Sequence, residues 1–312
     1  MNKAVIRLIH FVVVFGLLLG ACSTRGDLII SPSDESPRYL IMSAFDAEMT
    51  ALRSQTRITD SVVVNGRTYH LGELSGRKVI LVLSGASMVN AAMTVQSALD
   101  HFDVTAIIFS GIAGGVNPEL NIGDVVVPAQ WGQYQEQLFA RKTENGWDVG
   151  QSPSEFGNYG MMFPQYVSTT NNNTPDHEEQ RFWFPVSSDI LEAAKKTSAQ
   201  VQLNDCTSGD QCLEHQPSVI VGGNGVSGPT FVDNASYREW VWQTFQADAL
   251  DMESAAVAHV AYANSVPFIA FRSLSDLAGG GPGENEISTF FQLAADNSAE
   301  VVIAFLENLP NP

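Results

Sequence analysis

Three apolar runs in this sequence end in residues that could do acid–base or ligand-binding chemistry. Tyr39–Ala44 runs into Phe45-Asp46-Ala47-Glu48, which puts the Glu48 carboxyl in the first turn of a predicted helix. Thr105–Ser110 runs into Gly111-Ile112-Ala113-Gly114-Gly115, where missing side chains would let backbone N–H groups around Ala113 and Gly114 approach a ligand. Pro267–Arg272 runs into Ser273-Leu274-Ser275-Asp276. In open α/β sheets ligands collect beyond the carboxyl ends of strands, so these three turns can face one cleft. Each also has a plain reading: an acid at a helix start is commonly a cap, a glycine run a simple turn, and Asp276 a loop residue.

A fourth element joins the set. Asp251-Met252-Glu253-Ser254-Ala255-Ala256 places a thioether between two acids at a strand end, directly before a helix of small residues. With Ser110–Gly115, Asn121–Pro128 and Arg272–Asp276 it forms an ordered set of motifs that resembles the nucleoside phosphorylase superfamily. Within that superfamily the chain looks most like the 5′-methylthioadenosine/S-adenosylhomocysteine nucleosidases. The resemblance runs in order over residues 38–308, and 129–217 matches poorly.

That resemblance implies a role for each matching position. Glu48 would orient and deprotonate an attacking water, with Arg272 helping to hold it. Glu253 would accept hydrogen bonds from ribose hydroxyls while Met252 lies against the sugar. Phe231 would stack on the base and the backbone of Val232 would read its edge. Asp276, supported by Ser275, would give a proton to N7 of the leaving purine, and an Asp there rather than Asn suits a 6-aminopurine. The implied partner is a small purine nucleoside, with no cofactor and no metal. The chemistry is consistent: glycosidic cleavage passes through an oxocarbenium-like sugar, needing an acid on the base side and a carboxylate on the water side. Asp276 must then stay protonated, which requires a desolvated site.

Water is favoured over phosphate as the nucleophile. Phosphorylases of similar sequence carry arginine in the first loop and at the glycine-rich turn, because a phosphate dianion needs cationic partners. Here those places read Phe45-Asp46-Ala47-Glu48 and Phe109-Ser110-Gly111-Ile112, and Glu48 would repel phosphate. The alternatives are a phosphorolytic enzyme, or a nucleoside-binding or storage protein that kept the fold and lost the chemistry. The chain departs from the nucleosidase pattern at Ile112, where Ser is common, and at Ala86 or Ile287, expected to cover a 5′ substituent. His259, in the helix after Glu253, reads as a packed residue.

The elements that must position these groups alternate. Apolar strands at Tyr39–Ala44, Lys78–Ser84, Thr105–Ser110, Asp124–Pro128, Ser218–Gly222, Ala249–Met252 and Pro267–Arg272 are interleaved with amphipathic helices at about 46–53 and 89–101 and after the last two strands. This predicts an α/β fold, nucleoside phosphorylase-like, with a mixed, mostly parallel central sheet flanked by helices in one domain over 38–310. No internal repeat is visible. Residues 131–183 break the pattern with Asn, Gln, Gly and Pro and scattered aromatics such as Phe156, Tyr159, Phe163 and Tyr166, which suits an ordered lid or oligomer contact, or a decoration without chemical role. A homo-oligomer, with a dimer favoured, follows from the resemblance.

The amino terminus predicts export. Lys3 and Arg7 precede an apolar stretch from Phe11 to Leu19 and then Leu19-Gly20-Ala21-Cys22, a signal peptide over 1–21 ending in a lipobox whose Cys22 thiol would carry the lipid. The apolar run falls short of the roughly 20 residues of a membrane-spanning helix. Residues 22–37 suit a lipidated tether, and Ser23 points to the outer membrane of a Gram-negative cell, facing the periplasm. Cys206 and Cys212 bracket a polar loop and are expected to form a disulfide in that compartment, or to stay as two surface thiols. The formal charge of −18, two units more negative once Lys3 and Arg7 are removed, argues against nucleic acid as a partner.

Overall fold

Leu40, Ile41 and Met42 are fully buried because the strand that carries them is covered on both faces, as a continuous apolar run requires. The computed structural model describes residues 36–151, 154–281 and 283–309. The chain enters at β1 (Arg38–Ser43), turns into α1 (Asp46–Gln55) and forms a meander of β2 (Arg57–Val64), β3 (Arg67–Leu74) and β4 (Arg77–Leu83). Helix α2 (Met88–His101) leads into β5 (Val104–Gly115), followed by β6 (Val125–Val127) and β7 (Gln130–Gly132). Six short strands come next: β8 (Gln137–Phe139), β9 (Arg141–Thr143), β10 (Gly146–Asp148), β11 (Met162–Pro164), β12 (Val167–Asn171) and β13 (Thr174–Arg181). Then come β14 (Trp183–Pro185), α3 (Ser188–Ser198), β15 (Val219–Val221), β16 (Asn224–Ser227), α4 (Ala235–Phe245), β17 (Ala247–Asp251), α5 (Ser254–Asn264), β18 (Phe268–Asp276) and α6 (Ile287–Asn308).

One mixed sheet organises these elements, in the order β14-β7-β16-β17-β5-β1-β4-β3-β2, with β18 beside β5 and β6, and β15 beside β6. The α/β expectation holds, with parallel and antiparallel pairings close to balanced. β1 runs parallel to β4 and β5, and β18 parallel to β5, while the β2–β3–β4 meander and the β17–β5 contact are antiparallel. The β2–β3 hairpin was not among the predicted strands. Its Asn65-Gly66 turn, with φ of 50° and 75°, is the two-residue signal that closes such a hairpin.

Two expected turns are strand instead. Gly111–Gly115 continues β5, and Ser273–Asp276 continues β18, because the two segments pair with each other from Arg272↔Gly111 to Asp276↔Gly114. At its far end β5 also meets β17, through Gly114↔Leu250 and Gly115↔Ala249. The strands leading into all four chemistry-bearing segments, β1, β5, β17 and β18, therefore belong to one sheet, with β5 paired to the other three.

The irregular stretch is ordered into antiparallel pairs β8–β11, β9–β10 and β12–β13. Its aromatics pack onto α4: Phe156 lies 4.2 Å from Phe182 and 5.2 Å from Phe245, ring centre to ring centre. Val232, Leu250 and Ala278 belong to the same cluster of buried apolar side chains, so this pile stands behind one wall of the cavity described below. Cys206 and Cys212 form the expected disulfide. The signal peptide, Cys22 and nearly all of the 22–37 tether lie outside the described residues.

Candidate active site

Arg272 is among the largest fully buried side chains in the protein. A guanidinium cannot be held away from water without compensation, and here three carboxylates supply it. Oδ2 of Asp251 lies 2.8 Å from Nε, Oε2 of Glu253 3.6 Å from Nη2, and Oε1 of Glu48 3.8 Å from Nη1. Ser254 Oγ accepts from Nε at 3.0 Å, and the guanidinium stacks over Phe109, 4.1 Å from the ring centre. Nη2 is buried and makes no hydrogen bond among the described residues.

Glu48 reaches this group from the first turn of α1. Both its oxygens are fixed by main-chain donors, Ala44 N–H to Oε2 and Ile112 N–H to Oε1, each at 2.8 Å. Burial pushes its carboxyl up from 4.5 to about 7, against the opposing pull of Arg272 and the two amides. That places Glu48 where it can take up a proton near neutral pH.

Glu253 lies just beyond β17, at the N-cap position of α5. It accepts from the Ser87 amide at 2.6 Å, and burial raises its carboxyl, with Arg272 opposing and Asp251 adding to the rise. Ser87 holds φ of 78° and ψ of 156°, a region that side-chain-bearing residues seldom adopt, which aims its N–H at Glu253.

Asp276 ends β18 on another wall. Ser275 Oγ donates to Oδ2 at 2.9 Å and the Ala278 amide to Oδ1 at 2.8 Å, with the Asn285 side chain at 3.4 Å. Burial raises this carboxyl too, with the Ala278, Ser275 and Asn285 donors opposing.

These groups face one cavity of about 170 Å³. Of the residues singled out from sequence, Glu48, Ala113, Gly114, Phe231, Val232, Met252, Glu253, Ser275 and Asp276 line it, and Arg272 stands directly behind Glu48 and Glu253. Phe231 is 54% exposed, a wall residue with one free face, whereas Val232 is buried. Ala86, Ile112 and Ile287 line the cavity with Phe45 and Phe291, whose rings stack at 5.3 Å. Among the described residues, four acids, Glu48, Asp251, Glu253 and Asp276, contribute to the lining and no Lys or Arg does. His259 packs against Phe184 and bonds Gln133 and Thr169, outside the cavity, and Cys206 and Cys212 do not line it either.

Sequence reasoning missed Asp251, Ser254 and Gly111 as parts of the site. Asp251 and Ser254 were visible in the quoted motif, flanking Met252 and Glu253, but nothing in the spacing tied them to Arg272. Gly111 was noted for backbone access to a ligand, whereas its missing side chain makes room for Glu48 and Arg272.

Comparison with known proteins agrees with this arrangement. The family model described as the phosphorylase superfamily matches residues 38–307. Bark storage protein A of Populus deltoides is 27% identical over 288 residues, covering 91% of this chain and 89% of its own. The 5′-methylthioadenosine/S-adenosylhomocysteine nucleosidase of Tolumonas auensis is 28% identical over 270 residues, covering 86% and 98%. The solved structure of that nucleosidase from S. pneumoniae, with a transition-state inhibitor, gives a TM-score of 0.66 at 25% identity, covering 88% and 100%. Futalosine hydrolase of Helicobacter pylori gives 0.65 at 22% identity, covering 88% and 98%, a likeness of fold.

Proposed function

The chain belongs to the phosphorylase superfamily, and within it we propose a purine nucleosidase that breaks the N-glycosidic bond of an adenosine-type nucleoside with water. The observation that carries this reading is the pair of buried carboxyls Glu48 and Asp276 on two walls of one cavity, the first raised to about 7 and the second raised by its burial. Glu48 takes a proton from water as its oxygen attacks C1′. The C1′–N9 electron pair leaves with the purine, and Asp276 delivers a proton to N7. Glu253 accepts hydrogen bonds from the ribose hydroxyls, and the unpaired Nη2 of Arg272 supplies a donor between Glu48 and Glu253 for a bound oxygen. Phe231 stacks on the base. The products are free base and free sugar.

The lining supports water over phosphate, because its charged members are four acids and the nearest cation, Arg272, already has its charge shared among three carboxylates. Nucleosidase relatives support the same choice, and the apolar wall of Phe45, Ile112, Ile287 and Phe291 suits an uncharged 5′ substituent such as methylthio. The storage-protein relative keeps a binding-only reading in play. Intact Glu48, Glu253 and Asp276 converging on one cavity argue for chemistry. The test is free-base release from a panel of purine nucleosides with and without phosphate. Hydrolysis requires release that does not depend on phosphate, with Asp276→Asn binding the nucleoside but releasing nothing. Phosphate-dependent release would establish phosphorolysis, and binding without release would establish a binding protein.

We further propose that the protein is exported, anchored through Cys22 to the outer membrane facing the periplasm, and works there as a homo-oligomer on external nucleosides. The lipobox Leu19–Cys22 behind its apolar run supports this. Cys22→Ser should move the protein from the membrane to the soluble fraction, and an unmoved variant would refute the anchor.

A further inference from the structure

Asp251 has no part in the reaction just described, yet it holds the closest charged contact of the catalytic arginine. Of the three carboxylates around Arg272, those of Glu48 and Glu253 stand off at 3.8 and 3.6 Å, while Oδ2 of Asp251 lies 2.8 Å from Nε as a charge contact, the Nε hydrogen itself going to Ser254 Oγ. The two carboxylates that would touch substrate or water are thus loosely paired with the arginine, and the third, Asp251, is its closest counter-charge.

Asp251 is itself fixed from four directions. It is 5% exposed, and its Oδ1 accepts from Ser227 Oγ and from the amides of Glu253 and Ser254, each amide at 3.1 Å. Ser227 sits opposite Asp251 in the β16–β17 ladder, and its Oγ accepts from the Ala255 amide at 2.8 Å. One carboxylate therefore ties together the ends of β16 and β17, the first turn of α5 and the arginine of β18. The amides it receives belong to Glu253 and its neighbour, so the same oxygen that anchors the turn also sets where Glu253 stands.

Resting on the hydrolytic reading, we infer that Asp251 is a positioning residue: its charge beside Nε, together with the Ser254 hydroxyl whose amide it holds, keeps Arg272 turned so that Nη1 faces Glu48 and Nη2 faces Glu253, and its Oδ1 fixes the turn that presents Glu253 to the ribose. The charged and titratable groups facing it are Arg272 and Glu253, with the Tyr134 phenol, whose rise Asp251 adds to, from the segment after β7; Glu48 lies across the shared arginine. Asp251 also draws on the single cation that Glu48 and Glu253 share. Its negative charge leaves less of the arginine's field for Glu48.

The positioning role has a signature that a purely structural role lacks. In Asp251→Asn the Oδ1 contacts can persist, but an uncharged amide replaces the carboxylate beside Nε and the arginine loses its closest counter-charge. At the same time Arg272 is freed to pair with Glu48, which lowers the Glu48 carboxyl. The experiment measures kcat, KM and the pH profile of base release for the full-length protein and its Asp251→Asn and Asp251→Glu variants, with folded protein quantified by circular dichroism. Asp251→Asn is expected to lower kcat per folded molecule roughly 10- to 100-fold with little change in KM. It should move the acid limb of the profile to lower pH, and Asp251→Glu should recover part of kcat with the acid limb restored. Unchanged kcat and acid limb in folded Asp251→Asn would overturn the inference. Should that variant not fold, Ser227→Ala, which removes one donor and leaves the charge, is expected to lower kcat while KM holds, and an unchanged kcat there overturns it equally. A wild-type chain that releases no base sinks the hydrolytic reading, and the positioning role with it.

Discussion

Gly111 stands directly opposite Arg272 in the parallel β5–β18 ladder, and the arginine side chain occupies the space a Cβ at Gly111 would need. A Cβ built there would lie 2.8 Å from Cδ of Glu48 and closer still to Nη1 of Arg272 and Oε1 of Glu48. The glycine is thus the reason an arginine of one strand can meet a glutamate of the first helix across the end of the sheet.

Gly111→Ala should therefore damage the site more than the fold. Overpacking at a buried position costs about 1–3 kcal/mol, whereas displacing Arg272 or Glu48 by about 1 Å should lower kcat roughly 100-fold. Thermal unfolding and base release on the same preparation separate the two effects. A variant with native kcat would show that the pair tolerates displacement.

The raised carboxyls make activity depend on pH from both sides. Glu48 must be ionised to accept a proton, so kcat/KM should fall as pH drops below about 7. Asp276 must be protonated to donate, so activity should also fall as pH rises through its elevated value. A profile flat on the acid side would exclude Glu48 as the base.

The same burial has a consequence for stability, with a definite sign. The folded-state value of Glu48 is raised, so the folded chain binds the proton more tightly than the unfolded one, and stability falls as pH rises from 4.5 to about 7. For about 2.5 units the loss is on the order of 3 kcal/mol. Glu48→Gln, which removes the ionisation, should unfold at a higher temperature than wild type at pH 8, show a much smaller gain at pH 5, and release no base. Equal gains at both pH values would contradict the raised carboxyl.

Phe231 is half exposed and contributes to the cavity wall rather than the core. Phe231→Ala should leave folding stability within about 0.5 kcal/mol. Loss of stacking on a purine costs about 1–3 kcal/mol, a rise in KM of roughly ten- to a hundredfold. Unchanged KM would place the base elsewhere in the cavity.

The strand ends carrying Glu48, Glu253 and Asp276 were legible because buried strands write themselves as apolar runs, and the polar residues that follow mark where each run leaves the core. Leu40–Met42, Ile107–Phe109 and Phe268–Phe271 are such runs, all buried. The ordered motifs then identified the family and most of the cavity lining. Phe231 and Val232 were found through the resemblance, since no periodicity marks them.

Sequence alone determined which residues are available for chemistry, the α/β alternation that brings strand ends together, and the acidity that disfavours phosphate. The tertiary structure decided how those residues share charge. That Asp251 lies closer to Arg272 than Glu48 or Glu253 does depends on how β17, β18 and α1 meet, and that Gly111 is vacant for steric reasons and that Gly111–Gly115 and Ser273–Asp276 are paired strands rather than turns depends on pairing between segments some 160 residues apart. Local sequence encodes burial through period and composition. Register and the partition of a single buried positive charge among three carboxylates arise only when distant segments are brought within a few ångströms.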